Sequence, residues 1–174
     1  MRFTRRKVLA MGGGMAAALS LLKAPAGAAG VVEIGMQGRG DGSRVWFDPI
    51  GVLIEPGQTV RWVNRDAGNA HTTTAYHSGN FGKPRRIPAA AAAWNSDYLL
   101  PEEVFEVTLT EPGVYDYFCV PHEHAGMVGR IIVESAQPPG WTNDAEAAEG
   151  IPEIALQGFP SIDEIMRKGT VRRV

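Results

Sequence analysis

Tyr115-Asp-Tyr-Phe-Cys-Val-Pro-His-Glu-His-Ala-Gly-Met127 follows the turn signal Glu111-Pro-Gly113 and opens on an aromatic and β-branched run that reads as a strand ending at Cys119, the single cysteine of the 174-residue chain. His122 lies three positions beyond that cysteine and Met127 five beyond His122. Taken singly, a cysteine or methionine is ordinarily a core side chain and a histidine a surface one. The joint spacing is what distinguishes them. A thiolate, an imidazole and a thioether are soft or borderline donors, and one more distant histidine completes the His2Cys set with a weak axial Met that suits copper. His71 is the leading candidate for that histidine.

Outward from this stretch, residues 31–134 alternate short apolar or β-branched runs with Gly, Pro, Asn and Asp, at the intervals of an antiparallel sandwich. Strands are expected over 31–36, 44–47, 51–54, 59–64, 104–110, 113–119 and 129–134. Period-two alternation is clearest in Thr59-Val-Arg-Trp-Val-Asn64 and Val104-Phe-Glu-Val-Thr-Leu109. Glu55-Pro-Gly-Gln58 is a second turn signal. His71 follows the Trp62 strand through Asp66-Ala-Gly-Asn-Ala70, so sheet pairing can bring it to the end of the sandwich where Cys119 sits. The connection from His71 to Val104 is long enough to carry structure or function of its own. Within it, Pro88 and Ala89 to Ala93 suit either a short helix closed near Trp94 or an Ala-rich surface loop. After Glu134, Ser-Ala-Gln-Pro-Pro-Gly140 marks a domain boundary, and residues 141–158 show little periodicity. Ser161-Ile-Asp-Glu164 resembles a capping box, and with Ile162, Ile165, Met166 and Gly169 it predicts a short helix that either packs back on the sandwich, the favoured reading, or docks a partner.

The expected organisation is therefore an export signal over 1–29, a copper-binding domain over 30–135 and an extension over 136–174. Arg2, Arg5, Arg6 and Lys7 precede a weakly apolar run too short to span a bilayer, and small residues follow at 24–29. Thr4-Arg-Arg-Lys-Val-Leu9 resembles a twin-arginine signal, which implies a periplasmic or other extracytoplasmic address. Cleavage after Ala28 or Ala29 would remove five of the 17 basic residues and none of the 19 acidic ones, leaving a formal charge of −7. That balance argues against a nucleic-acid partner. A single cysteine excludes an internal disulfide framework, and metal binding is the economical explanation for a lone thiol in an exported protein.

Gly113-Val-Tyr-Asp-Tyr-Phe-Cys-Val-Pro-His122 with Gly126-Met-Val-Gly129, supported upstream by Phe47-Asp-Pro49, Gly57, Val60, Trp62, Asn64 and His71-Thr72, resembles the cupredoxin family, in its plastocyanin, pseudoazurin and halocyanin-like branch. The resemblance implies an all-β Greek-key sandwich, with a long inserted loop and a short helical tail in this chain. It also implies one type 1 copper ion held by His71, Cys119, His122 and Met127. The activity implied is one-electron carriage between redox protein partners by a monomer that is not an enzyme. His122 would lie near an apolar docking surface, with Ala125, Gly126 and Pro121 around it, although Gly126 also suits a simple turn. Phe118 stands where plant-type plastocyanins carry a tyrosine pair. Lys83, Arg85 and Arg86 offer a basic docking patch or a solvated loop. His124 is expected at the surface, and His77 is by default a surface side chain, with a substitute ligand or a group supporting the ligands as its other readings. A copper-handling module and an electron-transfer subunit of a larger redox complex are the alternative functions.

Overall fold

A computed structural model describes residues 30–134 and 148–173. The proposed signal and the boundary at 135–140 lie outside the described residues. Among the described residues, nine strands run in chain order as β1 (Val32–Gly38), β2 (Val45–Asp48), β3 (Gly51–Ile54), β4 (Gln58–Asn64), β5 (Thr74–Ala75), β6 (Val104–Leu109), β7 (Gly113–Phe118), β8 (Val128–Val133) and β9 (Thr170–Val171), with helices α1 (Glu153–Gly158) and α2 (Ile162–Lys168) in the tail. They form a four-stranded sheet in the order β2-β1-β4-β6 and a five-stranded sheet in the order β5-β7-β8-β3-β9. The fold is an all-β sandwich of two sheets, as expected.

Both sheets are mixed, where the strand spacing predicted an antiparallel arrangement. β1 runs parallel to β4, and β3 runs parallel to β8. The cause is the step between β2 and β3. Only Pro49 and Ile50 separate these strands, yet they belong to opposite sheets, so the chain changes layer there and returns to the first sheet at β4.

Alternation governs the first sheet. Val60 pairs with Val107 and Trp62 with Phe105, so these side chains share the inner face, while Thr59 and Arg61 lie opposite Thr108 and Glu106 on the outer one. Facing them are Val52, Ile54, Tyr115, Tyr117, Ile131 and Val133 of the second sheet. All six residues of β7 and all six of β8 are buried. That continuous burial arises because the tail covers the second sheet's outer face. Ile165 and Val171 pack there with Ile50, Val114 and Ile132, and Ile151 and Ala155 pack with Tyr76, Phe118 and Val128.

Helix α2 starts where Ser161 accepts the Glu164 amide and stops at Gly169, as its sequence signals require. Its Ile165 is buried and Ile162 partly so, whereas Met166 is exposed. Helix α1 has no strong periodic signal, and its burial comes from Ala155 and Gly158. Residues 88–93 make a turn closed by the Ala91 amide on Pro88 O rather than a helix. From Trp94 onward the chain is committed to extended pairing, with bridges Thr74 to Asn95 and His71 to Leu99, which leaves too few residues to nucleate a helix. Trp94 anchors this connection in the core against Trp62, Tyr115 and Tyr117.

Candidate metal centre

Two chain segments deliver the candidate donors to one end of the sandwich. Cys119 ends β7, and a 3-10 turn over Val120–Ala125 carries His122 before the chain re-enters the sheet as β8. The turn is clamped at its base: the Cys119 amide donates to Met127 O at 3.0 Å, and the Met127 amide donates to His122 O at 3.1 Å. Gly126 closes it at φ 73°, in the left-handed region that only glycine adopts freely. The other segment is 71–75. It is held by the reciprocal backbone pair between His71 and Leu99 and by β5 pairing with β7, Thr74 opposite Phe118.

Cys119 Sγ lies 3.6 Å from His71 Nδ1 and 3.4 Å from His122 Nδ1. His71 and Cys119 are fully buried and His122 partly so, with all three donor atoms within 4.8 Å of one another. First-row metal bonds to nitrogen and sulfur run about 2.0–2.3 Å, so three donors around one trigonal ion sit roughly 3.5–4 Å apart. The two sulfur-to-nitrogen separations are close to that spacing. Met127 is buried in the main core beside Cys119.

This trio at the end of a two-sheet sandwich coincides with a sequence match: residues 34–134 fit the family model described as copper binding proteins, plastocyanin/azurin family. The chain belongs to that family. Chloroplastic plastocyanin of Chlamydomonas reinhardtii is 36% identical over 130 residues, covering 74% of this chain and 83% of its own. Pseudoazurin of Paracoccus pantotrophus is 33% identical over 121 residues, covering 70% of this chain and 74% of its own. Among solved structures, pseudoazurin from Sinorhizobium meliltoi is similar at 30% identity and TM-score 0.48, covering 70% of this chain and 92% of that one. Cupredoxins are copper electron-transfer proteins. The cofactor is copper, and His71, Cys119 and His122 offer a site for a single ion whose donor chemistry fits it.

Around the cupredoxin site the polar groups are paired. The Thr72 amide donates to Cys119 Sγ at 3.3 Å, so the sulfur receives a donor from the segment beyond His71. Thr72 Oγ1 accepts the Val120 amide at 2.8 Å and donates to Thr74 Oγ1 at 3.0 Å, which donates in turn to Asn95 Oδ1 at 2.9 Å. His71 Nε2 faces Asp66 Oδ2 at 3.0 Å. Sequence reasoning passed over Asp66 as part of a connecting turn; a carboxylate five residues before a candidate histidine was the available signal.

Burial dominates the protonation behaviour. It pushes the Cys119 thiol up to about 11, against smaller opposing hydrogen bonds from Thr72. It also lowers both histidines: His71 despite the raising effect of Asp66, and His122 with a further contribution from neighbouring His71. Burial acts to raise Asp66 as well, but donors from Asn69, Gly68 and His71 outweigh it and hold the carboxyl below its ordinary value.

The surroundings correct two sequence expectations. Gly126 does not contribute to an open docking surface: it is buried, and a Cβ there would meet Ile154 of α1 at 3.3 Å, so its role is the turn. Pro121 and Ala125 are exposed. Lys83, Arg85 and Arg86 do not form one basic patch. Arg86 is buried on Asp116, Lys83 pairs with Glu123 of the 3-10 turn, and of these three only Arg85 is exposed. His124 is exposed, and the half-buried His77 accepts the Gly79 amide, apart from the donor cluster.

Proposed function

We propose that this protein is an exported carrier of single electrons whose one type 1 copper ion is held by His71, Cys119, His122 and Met127. The convergence of Cys119 Sγ and two imidazole Nδ1 atoms carries the reading. Bound copper would supply the redox couple, taking one electron from a donor protein as Cu(II) and giving one to an acceptor as Cu(I). The chain's part is to hold donors of both kinds in a fixed compromise, thiolate and thioether for the lower valence and imidazole for the higher. The hydrogen bonds at Thr72, Val120 and Asp66 keep the donors from moving between states. No helix among the described residues is long and apolar enough to cross a membrane.

In this reading residues 1–29 are a twin-arginine-type signal, 30–135 the copper domain and 136–174 its extension. The mature protein works as a monomer in the periplasm or another extracytoplasmic space, between redox proteins and not as an enzyme. Optical and paramagnetic spectroscopy of the copper-loaded protein tests it. The expected result is one intense thiolate-to-copper band, one paramagnetic ion per chain and reversible one-electron reduction, with the band lost in Cys119→Ala. Copper that binds but cannot be cycled, and instead passes readily to an acceptor, would overturn the carrier reading in favour of copper handling.

A further inference from the structure

Asp66 is 4% exposed, and its side chain is fastened before it meets the histidine. Oδ1 accepts the Gly68 amide at 2.9 Å, and Oδ2 accepts Asn69 Nδ2 at 2.8 Å while facing His71 Nε2 at 3.0 Å. Asn64 holds the turn from the sheet side. Its Oδ1 accepts the Asp66 amide at 2.9 Å, and its Nδ2 donates to Asn69 O at 2.8 Å and Leu99 O at 2.9 Å. The neighbouring strand leaves room for the carboxylate only because β1 ends in glycine: a Cβ at Gly38 would lie 1.8 Å from Asp66 Oδ2. Three segments thus hold one buried anion against the far nitrogen of His71.

The chemistry of the pair is asymmetric. An ionised carboxylate only accepts hydrogen bonds, so the proton of a neutral His71 resides on Nε2, and Nδ1 is left bare towards Cys119. A carboxylate on the non-ligating nitrogen also makes the imidazole a stronger donor, which favours the more highly charged ion. We infer that Asp66 is a positioning residue of the metal centre, which locks His71 in the Nε2–H tautomer and holds the reduction potential down by preferring Cu(II). This inference rests on the copper reading above.

The test compares wild-type, Asp66→Asn and Asp66→Ala proteins loaded with copper. The Asn variant keeps the shape and an acceptor oxygen, so it remains informative if the Ala variant does not fold. Loss of a partner of this kind costs about 10–100-fold in metal affinity. A loss falling on Cu(II) rather than Cu(I) raises the one-electron potential by about 59 mV per tenfold. A higher potential with the thiolate band retained is the expected result. In the diamagnetic Cu(I) form, the 15N ring signals of His71 should report a protonated Nε2 in wild type and a shifted Nε2 resonance in Asp66→Asn. A merely structural carboxylate would change thermal stability and leave potential and ring signals alone. A normal wild-type band with identical potentials in all folded variants overturns this inference alone; a wild-type protein with no thiolate band overturns the copper reading and this inference with it.

Discussion

Cys119 holds its proton up to about pH 11 in the metal-free chain, because burial opposes the thiolate. Copper must displace that proton, so apparent Cu(II) affinity at neutral pH should rise about tenfold per pH unit, one proton being released for each ion bound. The slope should steepen only below the ordinary histidine range, since burial holds His71 and His122 below 6.5. Competition with a chelator across pH 6 to 9 measures this, and a flat profile would show the thiol already ionised. The same shifts set metal-free stability. A histidine lowered in the fold loses stability as pH falls below its unfolded value of 6.5, and a thiol raised in the fold loses it as pH climbs from 9.0 towards 11. Denaturation midpoints should therefore be highest between those limits. Thr72 supplies a second test. Thr72→Val keeps the amide on the sulfur but removes the acceptor of the Val120 amide and the donor to Thr74, which should cost about 1–3 kcal/mol in urea unfolding with the thiolate band retained.

At the scale of elements, the strands that alternate were legible, since a period of two and Pro-Gly turns are local properties. The spans for β2, β3, β4 and β6 fall within a residue of the observed ones for that reason. Segment 88–93 was not decided locally. Alanine favours helix, but anchoring of Trp94 and the bridges that follow commit the chain to an extended path. The turn that carries His122 depends on Gly126 at φ 73° under Ile154. Gly126→Ala should cost about 1–2 kcal/mol for the left-handed backbone, more if Ile154 cannot give way, and should broaden the copper signal through a displaced His122. Unchanged stability and spectrum would mean that the turn tolerates a side chain.

Across the whole molecule, the tail converts one face of the second sheet from surface into interior. Asp116 and Arg130 lie opposite each other on β7 and β8, and Arg86 bonds the same carboxylate. Phe159 covers both guanidinium groups at 5.1 Å, and Arg130 reaches Pro160 O at 2.8 Å. This charge layer joins the sandwich to its tail. Asp116→Ala removes the buried anion that Arg86 and Arg130 share and should lower stability by about 3–5 kcal/mol. The loss should appear in a single cooperative transition that also loosens α1 and α2, followed by near-ultraviolet dichroism and amide exchange together. Separate transitions for tail and sandwich would show that the layer does not couple them.

The amino-acid sequence alone determined seven of the nine described strands, all but the two-residue β5 and β9, together with the short donor loop after β7 and the copper-type donor set, because pleat periodicity, turn chemistry and ligand spacing are written within a few residues of one another. Only the tertiary structure decided that β1 and β3 pair in parallel, that Asp66 rather than solvent meets His71, and that Arg86 and Gly126 face inward. Those outcomes depend on which distant segment covers which face. Burial of that kind has no signature in the residues being covered until the chain has closed over them.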